Sequence, residues 1–213
     1  YFNKILLKIL LYNRMKINKI LSKNLEIDIN SNILDIGTTP SLDKDQNVFV
    51  NLYPWKNRIT CISNLDCHIL NKKYPDITIL KGDGRKLDLQ DNIFDLVHSN
   101  AVIEHVGSFE NQTNFIKECI RVSNNTICIN TPNRFYPIDP HTKIPLIHML
   151  PKNIHRFILK IIGLKHFSLE ENLNLMSKKD LIKICKEINI KNFKIINYFF
   201  LGFVSNFILI IKK

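Results

Sequence analysis

The sequence predicts a single α/β domain: a mostly parallel, seven-stranded sheet closed by a C-terminal antiparallel hairpin, with helices on both faces. Three observations predict it. Short apolar runs alternate with polar or amphipathic segments from residue 33 to residue 130, the spacing of βαβ units with right-handed crossovers. Glycines and acidic residues follow those runs directly, as in sheets that bind ligands beyond the carboxyl ends of their strands. The last apolar stretch is divided by Leu201 and Gly202 into two runs, which read as a strand pair. With 213 residues and 45% hydrophobic content, the chain can bury one large core, and no stretch resembles a linker between two folding units.

Residues 2–21 place Ile5, Leu6, Ile9, Leu10, Tyr12, Ile17, Ile20 and Leu21 among Lys4, Lys8, Arg14, Lys16 and Lys19. That is an amphipathic helix within residues 1–25, too charged to span a membrane and expected to pack on the sheet. Its basic face also admits peripheral contact with an anionic membrane. Ile33 to Ile36 is the first strand, and Gly37 lets the backbone turn where a side chain would obstruct. A polar connection over 42–47 leads to a short apolar helix over 48–53, ended by Pro54. A second strand is expected over 58–63, a helix over 65–74 stopped near Pro75, and a third strand over 77–80. Asp91-Asn92 leads into a fourth strand over 93–98, which contains His98, read as a packed residue. A helix over 109–122 precedes a fifth strand over 126–130.

From Thr131 the pattern changes. Residues 131–140 hold too many prolines for helix or central strand and read as a long loop, the start of an insertion over 131–175. Amphipathic helix is expected over 144–164, interrupted at Pro151. A helix over 177–188 opens on Ser177 and Asp180, spaced as a capping box. Strands over 193–200 and 203–210 close the chain; Gly202, Asn197, Ser205 and Asn206 make them a buried hairpin rather than a membrane segment.

A net charge of +11 favours anionic partners, but the lysines are spread along the chain, and the abundance of Lys, Ile and Asn suggests a biased coding composition. Cys61, Cys67, Cys119, Cys128 and Cys185 form no C-x-x-C pair. Their odd number and apolar surroundings predict reduced thiols in a cytoplasm, and no metal-ligating set is expected. The first residue is Tyr1 rather than methionine, as expected of a chain with a segment upstream, and no signal peptide is recognised.

The strand ends collect Asp35-Ile-Gly37, Ser63-Asn-Leu-Asp66, Gly82-Asp-Gly84 and Ser99-Asn-Ala-Val-Ile-Glu-His105. Their acids can accept hydrogen bonds from ammonium, ribose hydroxyl and exocyclic amine groups. A phosphate site would need a fuller glycine loop or a Lys-Ser/Thr pair, so the ligand implied is a nucleoside with a cationic appendage.

Leu34-Asp-Ile-Gly37, Asp83-Gly-Arg85, Phe94-Asp-Leu-Val97 and Ala101-Val-Ile-Glu-His-Val106, in this order, resemble the motifs of class I S-adenosylmethionine-dependent methyltransferases, a Rossmann-like family. The likeness is greatest to the small-molecule, type 11-like subgroup with a Glu-His pair after the fourth strand. Thr131-Pro-Asn-Arg134 with His141-Thr142 resembles an extension in a bacterial branch, and Gly202-Phe-Val-Ser-Asn206 resembles the family's last hairpin turn. The resemblance implies S-adenosylmethionine as cofactor, with Asp35 and Gly37 at its methionine end, Asn64 and Asp66 near the ribose, and Asp83 and Gly84 at the adenine. Thr38 and Asn100 complete the expected cofactor contacts. Ser41 stands where the family usually has a second glycine, and Ser63-Asn64 where it usually has a ribose-binding acid.

Transfer of a sulfonium methyl group chiefly needs alignment of the acceptor and exclusion of water. For a hydroxyl acceptor His105 and His141 are the candidate bases, with a structural, helix-capping role the alternative for His105. Arg134 is a candidate grip for an anionic acceptor, or a partner of Asp139 or Glu104. The acceptor expected is a small molecule or glycan precursor. A nucleic-acid methyltransferase is the first alternative, although Ser99-Asn-Ala replaces the Asn/Asp-Pro-Pro-aromatic tetrad and no Pro-Cys nucleophile is present. A non-catalytic docking subunit built on the same fold is the second.

Overall fold

The computed structural model describes residues 2–43 and 45–213, with side chains of the first helix described from residue 11 onward. Seven strands lie in one sheet in the order β3-β2-β1-β4-β5-β7-β6. They are β1 (Ile33–Ile36), β2 (Ile59–Ser63), β3 (Thr78–Lys81), β4 (Phe94–Asn100), β5 (Ser123–Pro132), β6 (Phe193–Phe200) and β7 (Phe203–Lys212). The first five are parallel; β7 runs antiparallel to both β5 and β6. The strand order reverses beside β1, so the crevice between the β1 and β4 ends is where a ligand fits such a sheet.

Helices cover both faces. On one face α1 (Phe2–Asn24) and α2 (Val48–Leu52) enclose a core with Ile17, Leu21, Ile33, Phe49, Leu96 and Ile208. On the other, α3 (Phe109–Val122) and α6 (Lys178–Glu187) bury Phe115, Ile116, Leu181 and Ile184 against Leu34, Val97 and Ile129. Ser108 caps α3 by accepting the Asn111 N–H, and Ser177 and Asp180 form the expected capping box on α6. The first helix is fastened to the end of the chain: Tyr198 donates to Asn13, Lys194 to Asn24, and Lys212 pairs with Glu26 just beyond the helix. Ile5, Leu6, Ile9 and Leu10, expected on its apolar face, lie outside the described side chains.

Several segments differ from the sequence expectation. Residues 65–74 hold only a 3-10 turn, His68–Lys72, because Leu65 and Ile69, one helical turn apart, face solvent while Cys67 and Leu70 enter the core. No continuous apolar stripe is available to dock a helix there. Strand β4 extends two residues beyond His98, to Asn100. Strand β5 begins at Ser123 and continues through Thr131 and Pro132, which pair with Phe207 and Asn206 of β7. Strand β4 ends opposite Asn130, so beyond that point β5 is bordered on one side only, where proline is tolerated. The insertion, expected to be helical over 144–164, has only a 3-10 turn (Ile147–Met149) before Pro151, then α4 (Lys152–Ile161) and α5 (Lys165–Ser168).

Candidate active site

Strand β1 delivers Asp35 to the crevice, where it is 6% exposed. Its Oδ2 accepts the Thr38 hydroxyl at 2.8 Å and its Oδ1 lies 2.6 Å from His98 Nδ1 on the neighbouring strand. A carboxylate only accepts, so the His98 proton sits on Nδ1. The ring stacks on Phe49 of α2 with centroids 4.1 Å apart, and its Nε2 is buried without a hydrogen bond. His98 is thus packed, as its strand position predicts, and it also orients the acid of the first motif. Gly37 has φ +93°, and a Cβ there would lie 2.0 Å from Val102 Cγ2. A glycine is required by the chain's own backbone and packing at this turn.

Beyond β2, Asn64 and Asp66 are exposed, and Asp66 accepts the His68 N–H at 3.0 Å. Beyond β3, Asp83 receives Arg85 Nε at 2.9 Å and Nη2 at 2.6 Å, and this guanidinium holds its carboxyl below the usual range. The close approach at Gly84 is made by the protein itself: a Cβ would lie 2.6 Å from Phe115 of α3. Exposed Asn100, at the end of β4, accepts from Asn130 at 2.5 Å.

A second cluster adjoins these strand ends. The turn Ile103–His105 follows Val102, and His105 meets His141 of the insertion with their Nε2 atoms 3.0 Å apart. His105 Nδ1 is 2.7 Å from the Asn172 carbonyl and His141 Nδ1 is 3.0 Å from Asp139 Oδ1. Glu104, fully buried between them and β5, accepts the Thr131 hydroxyl through Oε2 at 2.9 Å; its Oε1 makes no hydrogen bond and lies 3.8 Å from His141 Nε2. Burial opposes a charge on His141, but its bond to Asp139 and the Glu104 and Asp139 carboxylates outweigh burial and raise its pKa. Asp139 is likewise disfavoured by burial, yet hydrogen bonds from His141 and Thr142 hold its carboxyl well below the usual range.

Arg134 pairs with neither Asp139 nor Glu104. Its Nε and Nη2 donate to the carbonyls of His148 and Leu150, at 3.1 and 2.6 Å, which ties the start of the insertion to its 3-10 turn. Residue-by-residue reading passed over Asp139 and Asn172 as partners of the histidines. Asp139 carried a signal, since it stands two residues before His141; Asn172 carried none. A separate groove of about 520 Å³ lies between α1 and α2, lined by Tyr12, Met15, Leu52, Tyr53 and Trp55. It is on a helix-covered face of the sheet, away from these polar groups.

Residues 57–126 match a family model described as a methyltransferase domain. The fold is shared with solved S-adenosylmethionine-dependent methyltransferases. That from Archaeoglobus fulgidus is 14% identical over 94% of each chain with a TM-score of 0.59. That from Aquifex aeolicus is 14% identical over 92% of this chain and 88% of its own, TM-score 0.59. That from Methanosarcina mazei is 14% identical over 88% of this chain and 94% of its own, TM-score 0.58. The chain thus carries a methyltransferase-domain match within the fold of S-adenosylmethionine-dependent methyltransferases. No curated protein matches it.

The crevice fits S-adenosylmethionine, the cofactor that the domain match and the shared fold imply. Asp35, Asp66 and Asp83 supply acceptors, and Ser99 Oγ and Asn130 Oδ1, buried toward the ends of β4 and β5, make no hydrogen bond within the protein. This set suits an ammonium, a ribose diol and an adenine amine. Among the described residues no helix is long and apolar enough to cross a membrane.

Proposed function

We propose that this chain is an S-adenosylmethionine-dependent methyltransferase acting on a hydroxyl or amine of a small molecule or glycan precursor, bound between the strand ends and the 131–175 insertion. One observation carries the reading: Val102 packs against Gly37, and the turn that follows it ends at His105, beside His141. The glycine loop and the histidine pair thereby share one short segment, which suits a cofactor side and an acceptor side meeting there.

In this reading Asp35, Gly37 and Thr38 hold the methionine end of the cofactor, Asn64 and Asp66 the ribose, and Asp83 with Gly84 the adenine. Asn100 borders the reacting side. Bound S-adenosylmethionine supplies an electrophilic methyl group. The chain's own work is then alignment and exclusion of water. His105 and His141 present Nε2 atoms to the acceptor, and Arg134 shapes the acceptor side by holding the insertion in place. Support for a small acceptor comes from Ser99-Asn-Ala at the end of β4, where base-amine methyltransferases carry an aromatic tetrad. The test is transfer of labelled methyl from S-adenosylmethionine into fractionated cell extract. Label is expected in small-molecule or glycan-precursor fractions; label confined to RNA or DNA would overturn the acceptor class.

A further inference from the structure

We propose that Glu104, His105 and His141 form a site for a divalent transition-metal ion on the acceptor side of the crevice. Its use, to anchor the acceptor's oxygen or nitrogen, rests on the reading above; the site itself does not.

The argument begins with protons. The Asn172 carbonyl can only accept, so His105 carries its proton on Nδ1. The Asp139 carboxylate likewise fixes the His141 proton on Nδ1. With both rings neutral, each has a lone pair on Nε2, and the two lone pairs face each other across 3.0 Å. Such an arrangement is repulsive unless a cation or a proton lies between them. The third group points to a cation. Glu104 is fully buried, its Oε1 has no hydrogen bond, and that atom lies 3.8 Å from His141 Nε2. A buried carboxylate oxygen left unpaired is costly, and a cation bound by both imidazoles would neutralise it.

Distances and partners agree. The three ligand atoms lie within 4.8 Å of one another. Bonds of ~2.1 Å to one ion at tetrahedral or octahedral angles separate neighbouring ligand atoms by roughly 3.0–3.4 Å, so the histidines already stand at that spacing, and Glu104, 3.8 Å from His141 Nε2, closes on the ion by a shift of its side chain. Imidazoles held through Nδ1 by a carbonyl and a carboxylate have the outer partners of metal-bound histidines, and Thr131 orients the carboxylate. Two histidines and one carboxylate suit zinc, iron, manganese or cobalt and leave coordination positions for an acceptor atom, on the side where His105 is exposed. The sequence shows no such set because residues 104 and 105 meet residue 141 only when the insertion folds back.

The test uses the full chain purified through a chelator and titrated with Co²⁺, read by its d–d absorption, and with Zn²⁺ by calorimetry. One equivalent per chain is expected. His105→Ala and His141→Ala should each weaken binding by at least about tenfold, while His68→Ala, at an exposed histidine elsewhere, binds as the native chain does. Glu104→Gln should also weaken binding, but its burial puts folding at risk, so exposed His105 carries the decision and melting curves accompany each variant. Failure of the folded native chain to bind one equivalent would overturn the proposal, as would undiminished affinity in both histidine variants. Nitrogen NMR showing a proton shared by the two rings and unmoved by Zn²⁺ would do the same. Cofactor calorimetry in parallel separates the two readings. Loss of metal binding with S-adenosylmethionine still bound removes only the metal site; metal binding without cofactor binding removes only the acceptor-side use.

Discussion

The two sides of the crevice are built differently. On the proposed cofactor side each residue sits at or within a few residues of a strand end: Asp35 in β1 and Thr38 just after it, Asp66 after β2, Asp83 after β3. On the acceptor side the partners come from distant segments: His105 with Asn172, His141 with His105, Asn133 with Met176, Arg134 with the carbonyls of His148 and Leu150. A site made of local turns inherits its geometry from the sheet. A site made of long-range contacts has its geometry only when the whole insertion is docked, and loops of that kind are free to vary with the ligand.

Gly37→Ala should break the cofactor side most severely. It forces an alanine to φ +93° and its Cβ to 2.0 Å from Val102, so a loss of about 3 kcal/mol or more is expected, with cofactor binding lost as well. Urea unfolding and calorimetry measure both; native-like stability would show that the loop can yield. Arg134→Ala is the counterpart on the acceptor side. Removing two charge-assisted bonds to backbone should cost about 2 kcal/mol and expose residues 135–170 to limited proteolysis before the sheet unfolds. Simultaneous cleavage and unfolding would mean that the insertion is no separate unit.

Asp83→Ala sharpens the contrast. Its ion pair with Arg85 is exposed, so stability should barely change while affinity for S-adenosylmethionine falls about tenfold, or ~1.4 kcal/mol. Unchanged affinity would remove the adenine assignment. The smallest effect is expected far from both sides. Glu118 accepts from Arg121 and from the Leu87 N–H, and chiefly the Arg121 bond depresses its pKa. A depressed folded pKa adds stability above the unfolded value of about 4.3, lost as pH falls through the folded one. Glu118→Gln should therefore cost about 1 kcal/mol at neutral pH and less near pH 3, measured by urea midpoints at both. An equal deficit at the two pH values would assign the loss to packing.

The difference between the two sides also explains what could be read from the sequence. The bounds of β1, α3 and β6 and the capping box of α6 follow from residues adjacent in the chain, and the structure has them where the sequence predicts. The helix expected over 65–74 failed because periodicity cannot say that Leu65 and Ile69 face water. Arg134 was legible as an arginine in need of partners but not which ones, since the His148 and Leu150 carbonyls carry no sequence signature. His105 and His141 were both legible as candidates; their meeting was not, because it depends on how the chain folds over a separation of 36 positions.

The fastening of the first helix to the last strands also fixes an order of events. Ile17 and Leu21 share their core with Ile208 and Ile210, and Asn13, Asn24 and Glu26 are partnered by Tyr198, Lys194 and Lys212. A ribosome emits this helix well before the strands that seat it. Until β6 and β7 follow, that basic, apolar segment has no completed surface to lie on, and the sheet closes on it only then.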